Sequence, residues 1–132
     1  MVGKKNSTTR DPLPTEQAEC TALARWLDRY RICYTHVPMG GARDRRQGAT
    51  LRAMGAKPGV PDYLIFTPPP SPSGKKLRGV AVEMKRRDGG RLSDAQHEMA
   101  NNLGRCGWLV IVAHGAEDAV ERLRALGYGE DP

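Results

Sequence analysis

Three charged side chains, Asp62, Glu83 and Lys85, have the types and the spacing of a metal-assisted hydrolytic site. The segment Gly79–Lys85 has the alternation of a strand, so Glu83 and Lys85 share one face while the intervening apolar residues face a core. Asp62 begins the preceding apolar run, which we expect to be the paired strand. Magnesium binds through one or two carboxylates and shares its other positions with water and phosphate oxygens. An ammonium beside the metal would assist an attacking water or neutralise charge on a phosphate oxygen.

So short a charged pattern also arises by composition alone, in which case it is an ordinary surface of a structural or assembly protein. The context makes the functional interpretation more specific, because several motifs occur in order along most of the chain. They are Trp26-Leu27, His36-Val37-Pro38-Met39-Gly40-Gly41, Met54 to Asp62, Glu83-Met84-Lys85, and Gly90 to Gln96.

In these motifs the chain resembles the VRR-NUC family of the PD-(D/E)XK nuclease superfamily. The resemblance implies a restriction-endonuclease-like α/β sandwich, with a mixed central sheet flanked by helices, and a metal-dependent phosphodiesterase activity on DNA. It implies that Asp62, Glu83 and the backbone carbonyl of Met84 bind Mg²⁺ or Mn²⁺, that Lys85 acts in catalysis, and that Gln96 lies beside them. Relatives that consist of this domain alone are associated with branched DNA such as Holliday junctions, which implies a homodimer. The alternative is a nucleic-acid-binding module that keeps the fold without catalysis.

The first predicted helix carries two further acidic candidates, Glu16 and Glu19. Thr15 is its expected cap, and apolar residues follow at spacings of three and four. The family has a glutamate of this helix near the metal, and Glu16 matches it by lying ten residues before Trp26, with Glu19 as the alternative. An acidic first turn stabilised by the helix dipole explains either residue equally well.

The positive charge is concentrated around the proposed site. Lys and Arg number 21 against 15 Asp and Glu, for a formal net charge of +6. A basic rim around a carboxylate pair suits a phosphate backbone, although a solvated surface is the simpler alternative. The predicted DNA-contacting residues are Arg43, Arg45 and Arg46 in a loop after a glycine pair, Lys57, and Arg86, Arg87 and Arg91 after the Glu83 strand.

Two polar residues have competing interpretations. Gln96 stands three residues after Ser93 in a capping box, which is a structural role that competes with a role beside Lys85. His36 is expected to be a strand histidine with a satisfied hydrogen bond, and a catalytic imidazole is the alternative.

The predicted element order is helix, strand, short helix, strand, strand, helix, strand, helix. The run from Tyr63 to Phe66 predicts a central strand buried on both faces, and a proline-rich hairpin loop follows it. The segment starting at Trp108 predicts a strand parallel to that of Glu83, reached over the Ser93 helix. The apolar side of that helix is expected to be core, and it consists of Leu92, Ala95, Met99 and Leu103.

We expect one domain over residues 15–128, between a disordered tail at 1–14 and a short tail at 129–132. Three unpaired cysteines, Cys20, Cys33 and Cys106, fit a reduced cytoplasmic protein, and each is expected to be a small buried apolar residue. The sequence has no apolar run that suits a membrane span or a signal peptide, so we expect no membrane partner.

Overall fold

A computed structural model describes residues 12–38, 45–70 and 76–130, and for Arg45 and Arg46 it describes the backbone only. Eight elements follow in the predicted order. They are α1 (Glu16–Arg29), β1 (Tyr34–His36), α2 (Arg45–Ala53), β2 (Tyr63–Ile65), β3 (Gly79–Lys85), α3 (Asp94–Arg105), β4 (Trp108–His114) and α4 (Ala116–Ala125).

The four strands form one mixed sheet in the order β1-β2-β3-β4. The pairs β1–β2 and β2–β3 are antiparallel. The pair β3–β4 is parallel, and α3 is the crossover between its strands. The predicted α/β architecture and the parallel crossover are therefore confirmed.

One face of the sheet packs against α1 and α4 and contains the hydrophobic core. Leu23 and Leu27 of α1 are fully buried there, and so is Leu123 of α4. The β3 residues Val80, Val82 and Met84 point into the same cluster, which confirms the predicted alternation. Since β3 is held from this side, Glu83 and Lys85 must face the other side.

The opposite face of the sheet is covered less completely. No residue of α3 is buried, and its expected core side is only half-buried, so that expectation was wrong. The expectation that β2 is buried on both faces was also wrong, since Leu64 is half-buried and Phe66 is 45% exposed. Both differences arise because α3 packs mainly against β4. The face of β2 on the side of α3 is therefore partly open, while its other face is packed.

Local sequence explains where the helices begin and end. The Thr15 side chain accepts a hydrogen bond from Ala18 N, and Ser93 caps α3 in the predicted capping box. Gly127 follows the last turn of α4 with φ of 97°, as expected for a helix C-terminus. Arg45 and Arg46 were expected in a loop, but they form the first residues of α2.

Expectations for the termini and cysteines have mixed outcomes. Residues 1–11 and 131–132 lie outside the described residues. Near the C-terminus, Gly129 packs closely on α1, since an added Cβ there would lie 2.4 Å from the Trp26 ring. Cys33 and Cys106 are exposed and Cys20 is partly buried, so the expectation of three buried cysteines was wrong. Among the described helices, none is long and apolar enough to span a membrane.

Candidate active site

A pocket of about 440 Å³ lies where the start of β2, the end of β3 and the first turn of α3 meet. It brings together all five residues that the sequence predicted as catalytic. Its lining consists of Glu16, Gly59, Val60, Asp62, Glu83, Met84, Lys85, Arg86, Gly89, Gly90 and Gln96.

Strand register places Asp62 beside Glu83. Tyr63 pairs with Val82 in the antiparallel β2–β3 ladder, so one step further along Asp62 stands opposite Glu83 on the same face. Asp62 Oδ2 accepts a hydrogen bond of 2.7 Å from Met84 N, which fixes the carboxylate against β3. Met84 thus lines the pocket with its backbone, while its side chain lies in the core.

Glu83 is a buried carboxyl with only 6% of its surface exposed. Burial, followed by the negative charge of Asp62, raises the pKa of Glu83 to about 8, and the Lys85 ammonium opposes this shift. Lys85 Nζ lies 3.8 Å from Glu83 Oε1. Burial and the neighbouring Asp62 carboxylate therefore both disfavour the charged form of Glu83, and a bound proton or cation would relieve both effects.

Gln96 links the charged residues through its side-chain amide. Its Nε2 donates to Glu83 Oε1 at 3.0 Å, and its Oε1 accepts from Lys85 Nζ at 3.0 Å. The same Oε1 accepts from Ser93 N at 2.9 Å and so completes the capping box. The two interpretations of Gln96 are therefore compatible, since α3 begins at the pocket and one amide reaches both sets of partners.

Gly59 allows α3 to approach the strand that carries Asp62. Its φ is 81°, and an added Cβ would lie 2.3 Å from the Ala95 carbonyl oxygen and 2.8 Å from Gln96 N. Only glycine fits both the backbone conformation and the contact. The sequence motif contained this glycine, but its partner Ala95 lies too far along the chain to be found by spacing.

The structure separates the two acidic residues of α1. Glu16 is exposed and lines the pocket, whereas Glu19 is 6% exposed and binds Arg87. Arg87 Nε donates to Glu19 Oε2 at 2.7 Å and Nη2 donates to Oε1 at 3.1 Å. These bonds hold the pKa of Glu19 below its usual value despite burial. The pocket thus receives Glu16, which is the residue that family position favoured.

The predicted DNA-contacting residues are placed differently from one another. Lys57, Arg86 and Arg91 are exposed, and Arg86 forms an exposed ion pair with Asp88 at 3.3 Å. Arg87 is also exposed, but its guanidinium is bound to Glu19, and its role as a DNA contact stays a prediction. Arg43 and the side chains of Arg45 and Arg46 lie outside the described residues.

A second cleft of about 770 Å³ adjoins the pocket and shares Glu16 and Asp62 with it. His36 is exposed at this cleft, and its ring centroid lies 5.1 Å from that of Tyr63. This ring contact gives His36 a structural partner in the strand, and its catalytic alternative stays a prediction.

The donor set of the pocket suits a cation that brings its own water. Within the described ranges, no three His, Cys, Asp or Glu side chains group closely enough to hold a metal ion by themselves. A pair of carboxylates matches Mg²⁺ or Mn²⁺, which fill the remaining positions with water, backbone or phosphate oxygens.

Comparisons with known proteins identify the family of the chain. The family model described as the VRR-NUC domain matches residues 14–117. A solved structure described as a VRR_NUC domain protein aligns with a TM-score of 0.68 and 22% sequence identity, over 86% of this chain and 88% of that chain. None of the curated proteins matches the sequence. The family match covers most of the chain and includes the whole pocket, so this protein belongs to the VRR-NUC domain family, which is generally a family of nuclease domains.

Proposed function

We propose that this protein is a divalent-metal-dependent endonuclease that hydrolyses phosphodiester bonds of DNA in the pocket of Asp62, Glu83 and Lys85. The observation that carries the proposal is the meeting of these side chains with Gln96 in one pocket, although they come from three separate segments of the chain. A solvated surface would not require a carboxylate with 6% exposure beside a second carboxylate.

Asp62 and Glu83, with the backbone carbonyl of Met84, are the groups that would hold Mg²⁺ or Mn²⁺. The raised pKa of Glu83 supports this assignment, because a buried carboxyl repelled by Asp62 is a group that a cation would stabilise in its charged form. Such a cation, when bound, supplies Lewis-acid polarisation of a phosphate oxygen and a water of lowered pKa.

In this proposal Lys85 supplies positive charge to the reaction and Gln96 orients Glu83. The Lys85 ammonium donates to Gln96 Oε1 at 3.0 Å, and the lysine side chain is 17% exposed, so it offers a fixed positive charge to a phosphate oxygen that gains negative charge. The amide of Gln96 holds one oxygen of Glu83 at 3.0 Å and so orients this carboxylate. Glu16 adds a third carboxylate at the rim of the pocket.

DNA is the proposed substrate because of the basic surface around the pocket. Lys57, Arg86 and Arg91 are exposed and suit contacts to phosphates on either side of the scissile bond. We extend the proposal to branched DNA such as Holliday junctions, cleaved by a homodimer that presents two such pockets.

The test is cleavage of linear, flapped and four-way DNA with Mg²⁺, with Mn²⁺ and with chelator. The wild-type protein should cleave at least one substrate only when metal is present. Under single-turnover conditions Lys85→Ala should lose about 10²-fold or more in rate with little loss of DNA affinity, the scale of one electrostatic or acid-base group. Asp62→Ala and Glu83→Ala should lose metal binding as well as activity.

Two results would contradict the proposal. A Lys85→Ala variant that cleaves at the wild-type rate would remove this residue from the reaction. A wild-type protein that binds all of these substrates but cleaves none with either metal would be a non-catalytic nucleic-acid-binding module.

A further inference from the structure

The ion pair between Glu19 and Arg87 lies next to the pocket but outside it. Glu19 is 6% exposed, and both of its oxygens accept from the guanidinium, at 2.7 and 3.1 Å. The backbone of Ala116, at the start of α4, also lies close enough to lower the pKa of this carboxyl. Three elements distant in sequence therefore meet at one carboxylate: α1, the segment after β3, and the N-terminus of α4.

The turn before α4 lies against one side of the pair. Gly115 has φ of 97°, and an added Cβ there would lie 2.4 Å from Glu19 Oε2 and 2.9 Å from Arg87 Cγ. The turn before α4 thus packs directly on the two side chains, and it needs a glycine to do so.

The pair connects two walls of the catalytic pocket. On one side, Glu16 lies one turn before Glu19 on α1 and lines the pocket. On the other side, Arg87 belongs to the segment 86–90, of which Arg86, Gly89 and Gly90 line the pocket.

The segment 86–90 follows Lys85 directly in the chain and passes beside its side chain. An added Cβ at Gly90 would lie 3.5 Å from Lys85 Cδ and 3.6 Å from Lys85 Cβ, so Gly90 lies beside the lysine side chain. Because the segment is joined to Lys85 and lies beside its side chain, a shift of the segment would change the position of Lys85 relative to Gln96. The arrangement offers a physical route from Glu19 to the reacting groups without any contact between Glu19 and the substrate.

We propose that Glu19 and Arg87 form a positioning pair that holds the segment 86–90 against Lys85, so that Arg87 acts on catalysis through the protein and not through the DNA. This inference rests on the proposed nuclease function. It reverses the interpretation from charge alone, in which Arg87 is one more phosphate contact.

The test compares Glu19→Gln, Arg87→Ala, Arg87→Lys and the double variant Glu19→Gln/Arg87→Ala with an Arg86→Ala control. Arg86 is the neighbouring arginine, and within the described part of the chain it pairs with the exposed Asp88. Three quantities are measured: the single-turnover cleavage rate per folded molecule below every variant's melting temperature, DNA affinity and its salt dependence in Ca²⁺, and hydrogen exchange of the segment 85–92 without metal. Counting only folded molecules removes any loss that comes from stability alone.

We expect Glu19→Gln and Arg87→Ala each to lower the rate by about 10-fold to 10²-fold, since small misplacements of reacting groups cost this much. DNA affinity and its salt slope should stay at the wild-type values, and exchange of the segment 85–92 should increase. The double variant should be no worse than Arg87→Ala, because the two changes remove one interaction. Arg87→Lys keeps the charge but loses the two-pronged bond, so it should recover part of the rate. Arg86→Ala should weaken DNA binding and should increase exchange much less than Arg87→Ala, because its pair with Asp88 is exposed.

The opposite pattern would overturn the inference. If Arg87→Ala lowers DNA affinity and the salt slope while Glu19→Gln is normal and the two effects are additive, Arg87 is a DNA contact. If exchange increases but the rate per folded molecule is unchanged, the pair only stabilises the fold. If the wild-type protein cleaves no DNA, the proposed function fails, and the exchange data alone decide whether the pair holds the segment. Unchanged exchange in Glu19→Gln and Arg87→Ala would then also reject the inference that the pair positions the segment 86–90.

Discussion

Replacing Glu83 with glutamine should stabilise the metal-free protein at alkaline pH, although it removes a proposed catalytic group. Glutamine has the shape of a protonated glutamic acid and carries no charge. The pKa of Glu83 rises from 4.5 to about 8 on folding, so between these pH values the folded protein holds a proton that the unfolded chain releases. The contribution of Glu83 to stability is therefore fully present below about pH 4.5 and is lost as the pH rises to about 8.

The expected magnitude follows from this shift. Each pKa unit corresponds to about 1.4 kcal/mol, so the shift from 4.5 to about 8 corresponds to roughly 5 kcal/mol. That is a large part of the 5–15 kcal/mol by which a typical domain is stable, roughly speaking. Near pH 4.5 the wild-type protein and Glu83→Gln should be about equally stable. Above pH 8 the free energy of unfolding of Glu83→Gln should exceed that of the wild type by several kcal/mol.

The assay is urea denaturation followed by tryptophan fluorescence, from pH 4.5 to pH 9 in chelator. The difference between variant and wild type is the informative quantity, since Glu19 and Asp118 have lowered pKa values and give a dependence of the opposite sign in both proteins. Asp62→Asn is the matched control. It keeps an acceptor for Met84 N but removes the charge that is the second cause of the Glu83 shift, so its own pH dependence should be weaker than that of wild type.

Two results would refute this reasoning. A stability difference between Glu83→Gln and wild type that stays constant with pH would mean that Glu83 does not hold a proton in the folded state. A variant that is less stable than wild type above pH 8 would mean that the charged carboxylate is satisfied by its neighbours. In wild type, saturating Mg²⁺ should reverse the alkaline loss, because a ligand bound only to the folded state stabilises it.

Two further substitutions test the contacts of the pocket. Gln96→Glu keeps the capping box and the acceptor for Lys85, but it replaces the group that donates to Glu83 with a like charge. The free energy of unfolding of the metal-free protein at pH 8 should therefore fall by about 1.5–3 kcal/mol, the contribution of a hydrogen bond to a charged group, and the cleavage rate should fall as well. A fully active variant would show that the amide does not orient Glu83. Gly59→Ala should lose at least about 2 kcal/mol in urea denaturation, because a left-handed backbone and an overlap with the Ala95 carbonyl both oppose a Cβ. Gly55→Ala is its control, since Gly55 also has a positive φ but open space around it, and equal losses at the two glycines would reject the close contact.

Local patterns determined the order of the elements and several of their details. The alternation of Gly79–Lys85 predicted both the strand and the face on which Glu83 and Lys85 lie, because side-chain direction in a strand depends only on position. Ser93 and Gln96 predicted the start of α3, because a capping box is formed within one turn. The candidate residues of the pocket came from the resemblance of short, ordered motifs to the VRR-NUC family. The family match over residues 14–117 confirms that the chain belongs to this family.

Only the tertiary structure decided which partner each charged residue has. No local pattern could show that Arg87 binds Glu19, which lies 68 positions earlier, or that Gly59 touches Ala95. Burial was also out of reach of the sequence: Cys33 and Phe66 are exposed because the helix on their side of the sheet covers β4 more than β2. Gln96 shows the reason most clearly, since its role as a cap depends on neighbours within one turn, whereas its contacts with Glu83 and Lys85 exist only because the parallel crossover brings the first turn of α3 to the end of β3.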